Sequence, residues 1–239
     1  MRLITRKSEI NVLLASCLES YKKAGLSACI KQTHQNILLN KVKFPLLEHC
    51  AASFYSEITY NQHIQFCDAI EALKTEGGNV LLGIFLQKRL STDYKNSLKK
   101  ATQYIAAADV WYVCDIIGER VFGYALLTTP EKTLPEIKNI STHASNWVIR
   151  SLGAGIHYAI KKGLEKEHVV TAFQLLLTMA STTNKEIRQG VGWAAKTTAK
   201  FHPDIIESFT DAIESKLVAN WFRKKIEIGL RRNNYAKRN

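Results

Sequence analysis

The chain has 239 residues, 46% of them hydrophobic, and a formal net charge of +12. That much apolar content supports an ample core and excludes disorder, and so large a basic excess predicts attraction to polyanions. The five cysteines (Cys17, Cys29, Cys50, Cys67 and Cys114) contain no C-x-x-C pair, so reduced core thiols are expected, with no zinc site, no metal and no cofactor.

Helical signals run the length of the chain. Ser8-Glu9-Ile10 opens a helix whose apolar residues keep helical spacing to about Ala24. Pro45 suits the first turn of a helix over 46–58, and Asn61 caps the next, which holds Ile64, Ala69, Ile70 and Leu73. Glu76-Gly77-Gly78-Asn79 reads as a break, with Asn79 capping 80–90. Asp93 caps a helix to about Ala107, and Asp109 starts the helix that carries Trp111 and Asp115. Thr129-Pro130 and Leu134-Pro135 mark a connecting region. Ser145 caps a helix to Lys162 that Gly163 closes, and further helices cover roughly 165–180, 184–200 and 203–230.

No strand pattern competes. Segments of ~12–18 residues, pairing every ~35–45 residues, predict an all-α fold of the HEAT-like α-solenoid kind. In it antiparallel helix pairs stack into a curved array with a concave basic face; a compact helical bundle is the alternative. With no linker visible, residues 1–239 are expected to form a single domain with a basic tail from about residue 231. The first seven residues are charged with no apolar run behind them, and the longest uncharged stretch, 169–184, is too short to span a bilayer. A cytoplasmic, membrane-free monomer is therefore expected.

The chemistry concentrates in the central and C-terminal helices. Trp147, Arg150, Ala154, His157 and Lys161 fall on one stripe of the helix that Ser145 caps, with Val148, Leu152, Ile156 and Ala159 opposite. That helix contains no acidic residue. A core side opposed to a cationic and aromatic side suits a phosphate backbone. Lys162 adds to the basic end, and His157 is either a phosphate contact or a packing residue. Gly153 and Gly155 permit close approach of a packed helix or of nucleic acid. In the following helix Trp193, Lys196 and Lys200 share a face, with Arg188 near its edge. Asp115 lies one turn after Trp111 on the same face. It stands mid-helix between apolar residues, where a buried unpaired carboxylate costs stability; such local conflicts mark functional sites. An indole beside a carboxylate, on a basic protein, suggests a site for a cation carried on a polyanion. From Arg223 onward, Lys224, Lys225, Arg231, Arg232, Lys237 and Arg238 stand against Glu227 alone and predict a basic end. No Walker loop, Rossmann glycine pattern, H-E-x-x-H or G-x-S-x-G occurs, which argues against those enzyme classes.

Trp111-x-x-x-Asp115, Trp147-x-x-Arg150 and Gly192-Trp193, in that order on a basic helical chain, resemble the AlkD-type DNA alkylation-repair glycosylases, a family built of HEAT-like repeats. The motifs span about 109–202, and the helical pattern extends the resemblance loosely to the whole chain. Members often read W-W-D-x-x-D at the first motif; here Val110 replaces the first aromatic and Tyr112 the first acid. The resemblance implies hydrolysis of the N-glycosidic bond of cationic N3- and N7-alkylpurines in double-stranded DNA, without extrusion of the base. It implies that Trp111 and Trp193 contact the sugar, that Asp115 stabilises the cationic sugar and positions a water, that Trp147 supports them, and that Arg150 clamps phosphate. The alternative is a non-catalytic HEAT-repeat protein that binds bent or branched DNA. Asp115 argues against it, because a pure DNA binder gains nothing from a carboxylate facing phosphates. A protein-binding scaffold is disfavoured, since its concave face should carry apolar anchors and mixed charges.

Overall fold

The computed structural model describes residues 2–236, which are overwhelmingly helical. They pack as two compact units divided between Tyr104 and Ile105. Among the described residues, the only sheet is a parallel pairing of two-residue strands, β1 (Leu3–Ile4) with β2 (Lys41–Val42). No helix among them is long and apolar enough to cross a membrane.

The first unit contains α1 (Lys7–Thr33), α2 (Phe44–Glu57), α3 (His63–Ala72), α4 (Glu76–Arg89) and most of α5 (Tyr94–Ala108). Gly25, at φ 77°, interrupts α1 where the apolar spacing of the sequence ends. Pro45 sits in the first turn of α2 as expected. The two glycines after Glu76 do not break the chain. Thr75, rather than Asn79, is the cap: its hydroxyl accepts from the Gly78 N–H at 3.2 Å, which starts α4 early enough to take in both glycines. Asn61 likewise is not a cap but lies in a single 3₁₀ turn, Tyr60–Gln62. The core is built on Phe54, Phe66 and Phe85, all fully buried, with ring centroids 5.4 Å and 4.8 Å apart along the row. Burying each such ring contributes roughly 1.5–3 kcal/mol. All five cysteines of the chain are buried and unbridged.

The second unit begins with α6 (Trp111–Ile117) and α7 (Tyr124–Thr128), joined by a wider π-helical stretch, Gly118–Gly123. There follow α8 (Pro130–Ile140), α9 (Asn146–Lys161), α10 (Lys166–Thr178), α11 (Lys185–Phe201), α12 (Pro203–Ser208), α13 (Thr210–Glu214) and α14 (Asn220–Ala236). Two expectations are corrected here. The proline-marked region is not a connector but α8, with Pro130 at the first turn, where its missing N–H is no loss, and Pro135 tolerated on the exposed side. Conversely, 203–230 is not one helix. Phe209 turns in against Phe173 at 5.4 Å, and the Arg223 guanidinium donates to the carbonyls of Ile213 (2.9 Å) and Ser215 (2.7 Å), satisfying groups that the break leaves open.

The site-bearing helices form a row. α6 and the π-helical stretch pack on α9, α9 on α11 and α11 on α14, while α8 and α10 pack on each other and against this row. The tightest crossing is α9 on α11. A β-carbon on Gly153 would lie 2.1 Å from the Gly190 carbonyl carbon, and one on Gly190 would lie 2.2 Å from the Arg150 carbonyl oxygen. The two backbones therefore touch, and only glycine fits on either side.

Candidate active site

Four helices of the second unit open onto one cleft of about 580 Å³. α6 supplies Trp111 and Asp115; α9 supplies Trp147 and Arg150. α11 supplies Lys185, Glu186, Gln189, Trp193 and Lys196, and α14 supplies Lys225.

An ion-paired triad lies at its centre. The Arg150 guanidinium donates through Nε to Asp115 Oδ1 at 3.1 Å and through Nη2 to Asp115 Oδ2 at 2.9 Å. Its Nη1 donates to Glu186 Oε2 at 3.0 Å. Burial alone would push the Arg150 pKa down, but the Asp115 carboxylate, helped by Glu186, more than reverses this and the net shift is upward. Two carboxylates share one guanidinium, so the triad keeps a formal charge of −1. Glu186 is held in place by the N-cap of α11, where the Asn184 side chain accepts from the N–H groups of Glu186 (2.9 Å) and Ile187 (3.1 Å). Cys114, next to Asp115, is no nucleophile: burial raises its thiol to about 12.

Indoles wall the triad. Trp111 is 56% exposed, with its edge toward Tyr112. Trp147 donates its Nε1–H to the Asp109 carboxylate and lies beneath the Arg150 guanidinium, 5.8 Å from ring centroid to Cζ. Trp193 stacks on His157 at 4.0 Å. The Thr197 hydroxyl donates to the Trp193 carbonyl (2.9 Å), so it must accept from His157 Nδ1–H (2.6 Å), which fixes the tautomer. Burial, aided by Lys161 and Lys196, pushes the His157 pKa down to about 4, so this ring is neutral at physiological pH.

Of the residues singled out from sequence, Asp115, Trp111, Trp193, Arg150, Trp147 and Lys196 meet in the cleft. The others lie elsewhere. His157 is buried behind Trp193, and Lys161 and Lys162 are exposed at the end of α9. Arg188 lies over the Trp221 ring at 5.6 Å, and Lys200 over Phe201 at 5.0 Å. The stripe expected to be an open cationic face is largely interior: Arg150, Ala154 and His157 are all buried, because α9 is covered by row neighbours on both sides. Asp115 is not unpaired. Sequence reasoning missed Lys185, Glu186 and Gln189, and had Lys225 only as a member of the basic C-terminal run. The signal for two of them was present, since Glu186, Gln189 and Trp193 follow helical spacing on one face. Lys225 had no such signal, because its place depends on how α14 packs.

The helical architecture is AlkD-like. The chain matches the X-ray crystal structure of AlkD2 from Streptococcus mutans with a TM-score of 0.67 at 16% sequence identity, over 84% of this chain and 95% of that one. The family described as DNA alkylation repair enzyme matches residues 18–225, and the chain belongs to that family. No curated protein matches the chain.

Proposed function

We propose that this protein is a DNA glycosylase that hydrolyses the N-glycosidic bond of cationic N3- or N7-alkylated purines in duplex DNA without flipping the base. The observation that carries this reading is the Asp115–Arg150–Glu186 triad, a floor of net charge −1 inside walls of indole and a rim of Lys185, Lys196 and Lys225. Anionic DNA alone has no use for a negative floor, whereas a cation carried on DNA does.

An alkylated purine already bears the positive charge of a leaving group, so no general acid is required. As the C1′–N bond breaks, its electron pair goes to the purine, which leaves neutral, and positive charge moves onto the deoxyribose. The Asp115 carboxylate and the faces of Trp111 and Trp193 stabilise that charge. Water then bonds to C1′ and passes its proton to Asp115, leaving an abasic site. Arg150, each of whose three nitrogens donates to a carboxylate, serves here to hold Asp115 and Glu186 rather than to clamp phosphate, and the rim lysines take the backbone.

Incubation with methylated duplex under single-turnover conditions should release 7-methylguanine or 3-methyladenine. Tight DNA binding with release of neither base would leave the non-catalytic reading, a binder of bent or branched DNA.

A further inference from the structure

We infer that Lys196, Lys225 and Arg232 form one phosphate-binding subsite beside the cleft, which grips a single backbone phosphodiester flanking the lesion. The inference rests on the proposed engagement of duplex DNA but not on base excision.

The three cations are placed by the α11–α14 crossing. On α14, Lys225, Gly229 and Arg232 recur at i, i+4 and i+7 and so share one stripe. On α11, Gly192, Lys196 and Ala199 do the same. The stripes face each other. A β-carbon on Gly192 would lie 2.9 Å from Lys225 Cγ and 3.2 Å from its Cε, so the missing side chain leaves a channel along which the Lys225 stem runs into the cleft. A β-carbon on Gly229 would lie 2.3 Å from the Lys196 carbonyl oxygen, so the helices also touch one turn further on. One turn beyond Gly229, Asn233 Nδ2 donates to the Lys200 carbonyl at 2.6 Å and fixes the register. Lys225 is thus a seated cation rather than a free surface lysine.

Among the described residues no carboxylate pairs with this group. Several cations elsewhere in the chain sit against carboxylates, as Lys100 does with Asp68, Lys166 with Asp204 and Arg231 with Glu227. Among the described residues, Lys196, Lys225 and Arg232 form no salt bridge. Burial, followed by the charges of Arg232 and Lys225, lowers the Lys196 pKa, so the three feel one another. A helix crossing that brings like charges together loses stability, and the arrangement makes sense when an anion completes it. The triad offers one excess negative charge against three cations, and its carboxylates form salt bridges with Arg150 rather than with them. A phosphodiester of the strand passing the cleft has the required charge and oxygens.

The test uses the full chain and a duplex carrying an uncleavable alkylpurine analogue. One methylphosphonate, which removes one backbone charge, is placed in turn at each position around the analogue. For the wild type, one position should weaken binding by roughly tenfold or more, the scale of a charge-assisted hydrogen bond. The Lys225→Met variant, and the Lys196→Met/Lys225→Met/Arg232→Met variant, should bind the unmodified duplex more weakly by a similar factor. Both should lose their sensitivity at that same position and keep it elsewhere. The triple variant should flatten the log–log salt slope by about one unit, for one shared phosphate. Its melting temperature should equal or exceed that of the wild type, because repulsion is relieved, and this separates the effect from misfolding. Unchanged affinity in the variants, or undiminished sensitivity at every position, overturns the subsite. Binding of no duplex by the wild type would instead overturn the proposed function.

Discussion

Replacing Asp115 with Asn removes one negative charge while keeping the shape of the side chain and one acceptor for Arg150. The floor changes from −1 to neutral. If the Asp115 carboxylate stands about 4 Å from the charge that develops on the sugar, at an effective dielectric near 20, its interaction is roughly 4 kcal/mol. The loss should slow excision by ~10²–10³, the range found for single preorganised electrostatic groups. Glu186 lies on the far side of the Arg150 guanidinium. At about 12 Å the same arithmetic gives only ~1.4 kcal/mol, so Glu186→Gln should cost about tenfold. Both changes remove the same formal charge, so their ratio isolates distance. Ground-state DNA is anionic, and the Asp115→Asn variant should bind the uncleavable duplex as well as or better than the wild type; that difference between ground and transition states is what catalysis requires. The assay is single-turnover release of 7-methylguanine and 3-methyladenine, with binding measured in parallel. Equal losses for the two substitutions would refute the electrostatic argument, and an Asp115→Asn variant as fast as wild type would remove Asp115 from the chemistry altogether.

Arg150→Ala leaves two part-buried carboxylates without their cation; after discounting for their exposure this should cost about 3 kcal/mol, or a fall in melting temperature of about 6–12 °C. Its salt slope for DNA binding should match the wild type, whereas a slope flattened by about one unit would give Arg150 a direct phosphate contact. His157 has a folded pKa near 4, below its ordinary 6.5, so the stability it confers is complete above pH 6.5 and is lost as the pH falls toward 4. Wild type should therefore lose about 2.5 kcal/mol to this group between pH 7 and 4.5, and His157→Gln should lose that much less in denaturant titrations at the two pH values; identical pH dependence would contradict the buried neutral ring. Trp111→Ala, at an exposed position, should slow excision about tenfold with no change in melting temperature, and a large drop in stability would reassign this indole to the core.

The helical class and most helix positions were legible in the sequence because they rest on local signals: Pro45 and Gly163 act where they stand. Errors arose where a distant group supplied the missing partner. Arg223 satisfies carbonyls released by the break before α14, and no local pattern announces that. The site divides the same way. Trp111, Asp115, Trp147, Arg150 and Trp193 were visible as motifs, but the pairing of Arg150 with two carboxylates joins residues 35 and 36 positions apart. Periodicity assigns a face to each helix, and it does not say whether that face meets solvent or another helix. His157 therefore read equally well as a phosphate contact and as packing.

The contact between Gly153 and Gly190 ties heritable change to the cleft without touching its lining. Neither residue faces the site, yet Arg150 precedes one by a single turn, and Glu186 and Trp193 flank the other. A methyl group on either glycine must wedge the two backbones apart, and the guanidinium then separates from one of its carboxylates. The Gly190 backbone blocks a side chain at Gly153, and the Arg150 backbone blocks one at Gly190, so neither replacement is absorbed unless the opposite helix retreats. A replacement on the lysine rim leaves this seam as it is, while one within the seam displaces both helices and every lining residue they carry.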